Sequence, residues 1–282
     1  MKNNFIKSPL NYVGGKYKLL PQITPLFPEE IDNFYDLFCG GLDVGINVNA
    51  NKVIANDICK PLVEIYKGIQ ESGAEESLNL VKEEIDRYKL GKFSKEEFNK
   101  IRADYNNGRK DWYVFFTMVT HAFNSQIGFN KKGEFNIPSG SGREYFNSNK
   151  ENNFIKFSKE IEKKNIEFRS ESFELLDIDK LNKKDFVYLD PPYLITDAYY
   201  MRTYPWTEKE ELKLLEMCDR LNDKNIKFAL SNVLQQGDKS NNILKEWSKK
   251  YTVHYLNHNY NNCSYQKEDR KQKNIEVLIT NY

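Results

Sequence analysis

The sequence predicts an α/β protein whose doubly wound, mostly parallel sheet is interrupted by an inserted and mostly helical segment. Apolar strands and a glycine turn occupy residues 34–57, and apolar strands return at 186–189, 227–232 and 276–280. This arrangement is typical of an open sheet built from strand–helix–strand units. Between the two stretches, residues 63–164 change in texture to charged helical patterns and one long loop.

The first unit of the sheet is predicted at residues 34–57. An apolar and aromatic run at 34–38 indicates a buried strand, and it ends at the glycine turn of residues 39–41. A second strand is predicted at 51–57, and it ends on an acid. The residues between them, 44–50, fit a helix, which would complete a strand–helix–strand unit.

The inserted segment begins with a charged, helical pattern at residues 62–90. Ser94–Glu97 has the composition of a capping box and predicts the start of another helix. Residues 112–123 are apolar all round and predict a buried helix. Residues 124–149 are rich in Gly, Asn, Ser and Lys without a clear period, and so long a loop in a compact domain is usually functional.

The later elements return to α/β character. A strand is predicted at residues 186–189, directly before Asp190, and a second capping box at 207–210 predicts a helix. Another strand is predicted at 227–232. The last strand, at 276–280, alternates enough to predict an antiparallel hairpin with residues 251–256.

Composition sets further bounds. The chain has 282 residues, is 39% hydrophobic and carries a formal net charge of +1, so any nucleic acid must be held by local basic patches. Its first seven residues lack an apolar signal region, and no apolar run is long enough for a membrane span. Four cysteines and three histidines lack metal-ligand spacing, so no metal site is expected. The cysteines are predicted to be buried or free thiols: Cys39, Cys59, Cys218 and Cys263.

The sharpest motif is Asp-Pro-Pro-Tyr at residues 190–193, just past a predicted buried strand. Ligands of open α/β sheets bind at this edge. Two consecutive prolines remove two N–H donors and leave carbonyl groups free to accept. The Asp190 carboxylate and the Pro191 carbonyl could both accept from one amino group, while Tyr193 offers a flat face for a base. The alternative is an ordinary surface turn, for which the same residues are suited.

A second motif joins Asp36 and the glycines at positions 40 and 41 with Asp57, which follows at the end of the next strand. Glycines let a ligand approach the backbone, and an acid at this spacing can hold ribose hydroxyls. The acid before the turn argues against a phosphate ligand and favours a cationic one.

A third motif is Tyr-Val-Gly-Gly-Lys at residues 12–16. It is not a phosphate-binding P-loop, because the first glycine is missing and Tyr17 stands where that loop has Ser or Thr. Read alone, this motif is compatible with an ordinary glycine turn.

Together the three motifs resemble the Dam-like, alpha-group family of adenine-N6-specific DNA methyltransferases, and the resemblance covers nearly the whole chain. It implies a Rossmann-like fold that binds S-adenosylmethionine (SAM). By this resemblance, residues 1–62 and 165–282 form the SAM-binding catalytic domain, and 63–164 form the DNA target-recognition domain. The segment 229–232 resembles a late strand motif of the family.

The resemblance implies specific roles for individual residues. The catalytic residues are Asp190, Pro191, Pro192 and Tyr193. The residues implied in SAM binding are Tyr12, Gly14, Gly15, Lys16, Asp36, Phe38, Gly40, Gly41, Asp57, Ser172, Phe173 and Asp190.

The inserted segment is implied in reading DNA, because residues 133–138 match part of the family's target-recognition region. The residues expected near phosphates or bases are Asn124, Lys131, Lys132, Asn136 and Arg143. For the basic residues the alternative is a solvated loop without a ligand.

The implied activity is site-specific transfer of a methyl group from SAM to N6 of adenine in double-stranded DNA, with the target base flipped out and no metal required. The implied partner is double-stranded DNA, with a separately encoded cognate restriction endonuclease as a candidate. The expected location is the cytoplasm of a bacterium or of a phage host, with the nucleoid and away from membranes.

Two other functions compete. One is methylation of a different amino group, such as N4 of cytosine, an RNA adenine or a protein glutamine. Asp-Pro-Pro-Tyr favours adenine because the comparable cytosine enzymes usually begin this motif with Ser, and the insert favours DNA. The other is a non-catalytic module that binds SAM or a nucleotide together with nucleic acid. The intact motif at 190–193 argues against such a module.

Two positions depart from the family pattern. Leu42 and Asp43 stand where a small residue and Ser are usual, which concerns the shape of the SAM turn. Gly128 stands where members that read GATC commonly carry an arginine, five residues before the segment 133–138. Since glycine cannot reach a base edge, we expect an adenine-containing target other than GATC, A-rich or asymmetric. The alternative is that Gly128 only shapes a loop.

Overall fold

The computed structural model describes residues 5–10, 12–196, 203–257 and 274–282. Asn11 in the first glycine motif and Cys263, which was predicted as a buried or free thiol, lie outside these residues. The other three cysteines are free and buried, as predicted: Cys39, Cys59 and Cys218.

A single sheet of eight strands forms the centre of the molecule. Its order is β3-β2-β1-β4-β5-β8-β7, and β6 pairs with β5. The strands are β1 Asn33–Asp36, β2 Lys52–Asn56, β3 Ile166–Arg169, β4 Phe186–Leu189, β5 Lys227–Gln236, β6 Lys239–Ser240, β7 Thr252–Leu256 and β8 Ile275–Thr280. The neighbouring pairs β3–β2, β2–β1, β1–β4 and β4–β5 are parallel. Strand β8 is antiparallel to both β5 and β7, so the predicted hairpin is confirmed.

The described helices connect these strands and cover both faces of the sheet. They are α1 Leu20–Ile23, α2 Lys60–Ser72, α3 Ala74–Tyr88, α4 Lys95–Asn106, α5 Trp112–His121, α6 Ser148–Lys163, α7 Glu208–Asp223 and α8 Asn242–Trp247. Short 3₁₀ turns lie at Thr24–Leu26, Phe123–Ser125, Phe173–Leu175, Ile178–Lys180 and Ser248–Lys250. The predicted α/β class is therefore correct.

The two predicted capping boxes have different outcomes. At α7 the box is formed, since the Thr207 side chain accepts a backbone N–H and the Glu210 carboxylate accepts the Thr207 N–H at 3.0 Å. At α4 the helix begins as predicted, but the box is absent. The Ser94 hydroxyl instead accepts the Gly91 N–H at 2.9 Å and donates to the Gly91 carbonyl at 3.0 Å, which closes the preceding turn.

The helix predicted at residues 44–50 is wrong, because the chain there forms isolated turns. The Gly45 N–H donates to the Asp36 carboxylate at 3.2 Å and so leaves the helical ladder. Asn47 exchanges two hydrogen bonds with the backbone of Ile6, which ties this connection to the N-terminal part of the chain. These side-chain bonds compete with helix formation in a connection this short.

Two apolar clusters fill the two sides of the sheet, because alternate strand residues face opposite ways. The first contains Phe34 and Tyr188 of the strands and buried residues from α2 through α6. The second contains Val187 and Leu230 with buried residues from α7 and α8. Helices of the inserted segment therefore share a core with the sheet, and the domain division at 62/63 and 164/165 remains a prediction. Within the described residues, no helix is both long and apolar enough to cross a membrane.

Candidate active site

A cavity of about 550 Å³ opens at the carboxyl ends of β1 and β4. These strands are neighbours, yet the chain leaves β1 towards one side of the sheet and β4 towards the other. Such a reversal of strand order separates the connecting segments and leaves a crevice for a ligand. All the residues predicted for catalysis and for cofactor binding line this cavity.

Asp36, the last residue of β1, is only 1% exposed. Its Oδ2 accepts the Gly45 N–H at 3.2 Å, and its Oδ1 has no hydrogen-bond partner among the described residues. Burial, and then the nearby Asp190 carboxylate, raise the pKa of Asp36 well above that of an ordinary aspartate. A buried carboxylate oxygen without a donor is suited to a cationic ligand.

The glycine turn after β1 packs directly against the N-terminal motif. Gly40 has φ +43°, and a Cβ there would lie 3.0 Å from Cε1 of the Tyr12 ring. A Cβ on Gly15 would lie 2.7 Å from the Asp43 carboxylate. Only glycine allows this close approach of the two loops. Leu42, one of the departures from the family pattern, takes φ +61° and is fully buried in the core.

Asp57, just past β2, braces the same turn. Its Oδ2 accepts the Gly40 N–H at 3.0 Å and its Oδ1 accepts the Cys59 N–H at 2.9 Å. Burial raises its pKa while these two amides lower it. Each carboxylate oxygen keeps further acceptor capacity, so the predicted contact with ribose hydroxyls remains a prediction.

Three aromatic rings form the wall beside the turn. The Phe38 ring lies 5.4 Å from Phe173 and 5.7 Å from Trp206, measured between centroids. Ser172 accepts the Glu174 N–H at 3.3 Å and caps the 3₁₀ turn that carries Phe173. The Trp206 indole donates to Glu211 at 2.8 Å. Sequence reasoning missed Trp206, although its position directly before the α7 capping box marks it as a residue that fixes the entry to a helix.

Lys16 and Tyr193 hold the carboxylate of Asp190 from two sides. The Lys16 Nζ lies 2.8 Å from Asp190 Oδ2 and donates to the Gly14 carbonyl at 2.7 Å. The Tyr193 hydroxyl donates to Asp190 Oδ1 at 3.0 Å. Lys16 is 4% exposed, so this ion pair is largely shielded from water.

Burial and the ion pair have opposite effects on the pKa of both Lys16 and Asp190. Burial lowers the pKa of Lys16, but the Asp190 carboxylate together with Tyr188 and Glu276 outweighs it, so the pKa of Lys16 lies above its ordinary value. Burial raises the pKa of Asp190, and Lys16 and the Tyr193 hydroxyl oppose that rise. The pKa of Asp190 stays above its ordinary value, and Lys16 limits how far burial raises it at the position where the resemblance places the catalytic acid.

The cavity carries a large excess of acidic groups. Among its described lining residues Lys16 is the only lysine or arginine. The lining acids are Asp36, Asp43, Asp57, Glu171, Glu174, Asp190 and Glu210. Burial raises the pKa of Asp43 to about 6, against the amides of Ser8 and Tyr17. This lining fits SAM, since its ammonium and sulfonium groups would offset buried negative charge, and Asp36, with its unpartnered oxygen, is one of the lining residues.

The opposite wall comes partly from the inserted segment and partly from the chain that follows β4. Residues 127–129 and 203–205 line the cavity, and they are joined because the Phe129 N–H donates to the Thr203 hydroxyl at 3.3 Å. Gly128 lies in this wall, and its carbonyl accepts the Asn136 N–H at 3.1 Å. Residues 128–136 form a short hairpin, in which Phe129 pairs with Phe135. Asn106 of α4 binds both the N–H and the carbonyl of Phe135 and so holds this hairpin on the helical core.

None of the five residues predicted to contact DNA lines this cavity. Lys131 and Lys132 lie exposed at the tip of the hairpin, in a turn that the Asn130 side chain closes through the N–H groups of Lys132 and Glu134. Sequence reasoning missed Asn130. Asn136 is exposed on the returning arm, and Asn124 and Arg143 are exposed in the adjoining loops. Their role in binding DNA remains a prediction.

The described residues contain no group of three or more His, Cys, Asp or Glu side chains placed to hold a metal ion. The sheet order, the glycine turn and the acid-lined cavity define a class of protein, the SAM-dependent methyltransferases. The chain belongs to the D12 class of N6 adenine-specific DNA methyltransferases, whose family model matches residues 12–262.

Individual relatives agree with this membership. The chain is 44% identical to the type II methyltransferase M.FokI of Planomicrobium okeanokoites, over 99% of this chain and 43% of the relative. It is 42% identical to the modification methylase StsI of Streptococcus sanguinis, over 99% and 43%. It is 26% identical to the DNA adenine methylase of Salmonella typhi, over 82% of each chain. The chain thus spans less than half the length of the first two relatives.

Replacing Asp36 with Asn should weaken SAM binding and stabilise the protein without SAM. The charged hydrogen bond to the ammonium is worth about 1.5–3 kcal/mol, so calorimetry should show an affinity loss of about tenfold or more. Because the folded pKa of Asp36 is raised, wild-type stability falls as pH rises from about 4 through that pKa. The Asn variant lacks this loss, so its advantage in thermal melts should grow with pH over this window.

Asp57→Asn provides the matched control for the stability measurement. Both Asp57 oxygens already accept backbone N–H groups, so replacing one oxygen with NH₂ removes an acceptor. This variant should melt at a lower temperature than wild type. Equal SAM affinity in wild type and Asp36→Asn would show that the carboxylate does not meet the ammonium.

Replacing Lys16 with Met should move the acid limb of the methylation rate to higher pH. An opposite charge at this distance shifts a pKa by about 1–3 units, and its loss lets burial raise the pKa of Asp190 further. We expect the ionised carboxylate of Asp190 to be the active form, so the rate at a given acidic pH should fall. Single-turnover pH profiles at saturating SAM test this, and Lys16→Arg, which keeps the positive charge, should retain most of the wild-type profile. An unshifted profile in Lys16→Met would contradict the coupling.

Proposed function

We propose that the chain transfers a methyl group from SAM to N6 of an adenine in double-stranded DNA at a specific site. The observation that carries this proposal is the placement of Asp-Pro-Pro-Tyr, residues 190–193, in the acid-lined cavity beside Asp36 and the glycine turn. The family membership supports adenine as the base. Its match over residues 12–262 includes the whole inserted segment.

The chemistry follows from the carboxylate and the prolines. SAM, when bound, supplies a methyl group that its sulfonium already activates. Asp190 and the Pro191 carbonyl accept the two hydrogens of the adenine amino group, which draws the nitrogen lone pair out of conjugation with the ring. They also stabilise the positive charge that develops on the nitrogen, which is discharged when one of these two hydrogens leaves as a proton; the other product is S-adenosylhomocysteine. Tyr193 lies against the base, and its hydroxyl holds Asp190 in place.

The bond between Lys16 and Asp190 sets a condition on substrate binding. Oδ2 of Asp190 is engaged by Lys16 and Oδ1 by Tyr193, so the amino group must use the remaining acceptor positions of this carboxylate. An ionised carboxylate has about four acceptor positions, so an oxygen already bonded to Lys16 or Tyr193 can also accept a hydrogen bond from the adenine amino group. The orientation of Asp190 is thereby fixed before the base arrives, as electrostatic catalysis requires.

Access to the cavity requires that the adenine leave the duplex, because its amino group is otherwise stacked and paired. In this proposal residues 1–62 and 165–282 bind SAM and carry the reaction, and 63–164 read the DNA. The exposed hairpin tip with Lys131 and Lys132 and the exposed Asn136 contact phosphates or base edges, together with Asn124 and Arg143.

The printed names of two relatives, a type II methyltransferase and a modification methylase, support a place in a restriction–modification system. A cognate endonuclease, encoded separately, is the proposed partner. Action on DNA favours the cytoplasm of a bacterium or of a phage host. The alternatives are methylation of cytosine N4 or of RNA, and a non-catalytic module. The experiments below distinguish them from the proposed function.

Asp190→Ala should abolish methylation while leaving SAM affinity within a few-fold of wild type. Loss of one preorganised electrostatic partner costs about a hundredfold or more in the chemical step. The test is single-turnover methylation of a duplex whose site is first found by single-molecule sequencing of DNA from a host that expresses the chain. Tyr193→Ala should lose less, through weaker holding of the base. A near-normal rate in Asp190→Ala, or methyl groups only on cytosine, would contradict the proposal.

The methylated site should contain adenine but differ from GATC. Gly128 lines the cavity wall and has no side chain that could form the paired hydrogen bonds by which arginine reads guanine, worth about 1–3 kcal/mol of discrimination. Genomic DNA from an expressing strain should be cut by an endonuclease that GATC adenine methylation blocks, while methyladenine is present elsewhere. Complete protection at GATC would show that other residues read this guanine. Gly128→Arg, with its SAM affinity measured as a control, should then alter the methylated sequence.

A further inference from the structure

A second cavity, of about 370 Å³, lies beside the active site, and two of the residues predicted to contact DNA, Asn124 and Arg143, line it. Three bases and one acid line it: Lys7, Arg143, Lys150 and Glu144. The remaining lining residues are uncharged, so the cavity has a local excess of positive charge in a chain whose net charge is only +1.

The single acid of this cavity is already engaged. Its Oε2 accepts the Ser141 N–H at 2.8 Å and its Oε1 accepts the Asn124 N–H at 3.4 Å, so Glu144 fastens the loop around the cavity. Within the described part of the chain, no acidic side chain forms an ion pair with Lys7 or Arg143. Both are exposed. The Arg143 guanidinium and the Lys7 ammonium are therefore available to an anion.

Lys150 forms the inner side of the cavity. Its Nζ donates to the Thr120 carbonyl at 2.9 Å. Burial lowers the pKa of Lys150 to about 8, although Glu144 opposes this. An anion in the cavity would favour the charged form of this lysine, and so the electrostatics of the cavity favour an anionic occupant.

The position of the cavity relates it to the active site through two chain segments. Residues 8–10 line it and run into the Tyr12 motif, and residues 124–125 line it and run into the wall at 127–129. Asn124 and Ser125 both adopt positive φ, +53° and +50°, which redirects the chain between the two cavities. These shared segments place the basic cavity next to the active site.

We propose that this basic cavity binds one backbone phosphate of the DNA strand that carries the target adenine, next to the flipped nucleotide. The inference rests on the proposed function. Flipping rotates a nucleotide about its own backbone, so a fixed phosphate beside it defines where the base enters the active site. Arginine and lysine are the residues that bind phosphate oxygens through charge-assisted hydrogen bonds. This contact positions the strand and carries no sequence preference.

The test compares Lys7→Gln and Arg143→Gln with Lys183→Gln. Lys183 is an exposed base in the loop at the amino end of β4, whereas the active site lies at the carboxyl ends of the strands, and it is the matched control. The probe is a duplex oligonucleotide with the sequenced methylation site, in the presence of S-adenosylhomocysteine. Each cavity variant should bind about five- to tenfold more weakly near 0.1 M salt and lose about 0.9 from the slope of log affinity against log salt. Lys183→Gln should bind the duplex as the wild type does, all variants should keep wild-type SAM affinity, and Arg143→Lys should retain most of the affinity for DNA.

A second measurement locates the phosphate. Neutral methylphosphonate replaces the phosphates around the target adenine one at a time. One substitution should weaken the wild type about as much as Arg143→Gln does, and it should have little further effect on that variant. Unchanged slopes in both cavity variants would overturn the inference, while methylation by the wild type would leave the proposed function standing. Stabilisation by inorganic phosphate that requires Arg143, with duplex binding unaffected, would also overturn it and assign the cavity to a free anion.

Discussion

The arrangement of the active site depends on the burial of several carboxylates beside one lysine at the carboxyl ends of β1 and β4. Asp36, Asp57 and Asp190 all lie within the cavity, and Lys16 is the only base among its described lining residues. Buried charges of one sign are unfavourable unless donors or counter-charges compensate them. The backbone amides of Gly40, Gly45 and Cys59 supply part of this compensation. A cationic cofactor would supply the rest, so affinity for the cofactor and stability of the protein without it are opposed.

The same constraint explains why the N-terminal motif must fold against the glycine turn. Lys16 reaches Asp190 only because Tyr12 and Gly15 pack within van der Waals distance of Gly40 and Asp43. A side chain at either glycine would push the loops apart and withdraw the lysine from the carboxylate. Glycine is therefore required here for electrostatics as well as for backbone conformation.

A second buried network fixes the aromatic wall. Glu211 of α7 is fully buried and accepts from the Trp206 indole, from Asn241 at 2.9 Å and from Asn232 at 3.4 Å. Burial raises the pKa of Glu211, and these donors oppose the rise. The network joins α7, β5 and the start of α8 to the cofactor side of the cavity. The hydrogen bond from the Trp206 indole to Glu211 holds this ring against Phe38.

The sequence by itself determined the strands that bear the site, the α7 cap and the three motifs, because each is a local pattern of apolar period, glycine or turn residues. It also indicated the family, through Tyr12–Lys16, Asp36–Gly41 and Asp190–Tyr193, and the matching family model confirms it. Only the tertiary structure decided that residues 44–50 are turns and that Lys16 pairs with Asp190. It also placed Trp206 and Gly128 in the wall of the active-site cavity. Lys7 and Arg143 came together in the lining of the basic cavity. These outcomes depend on contacts between residues far apart in the chain, whose energies no local pattern contains.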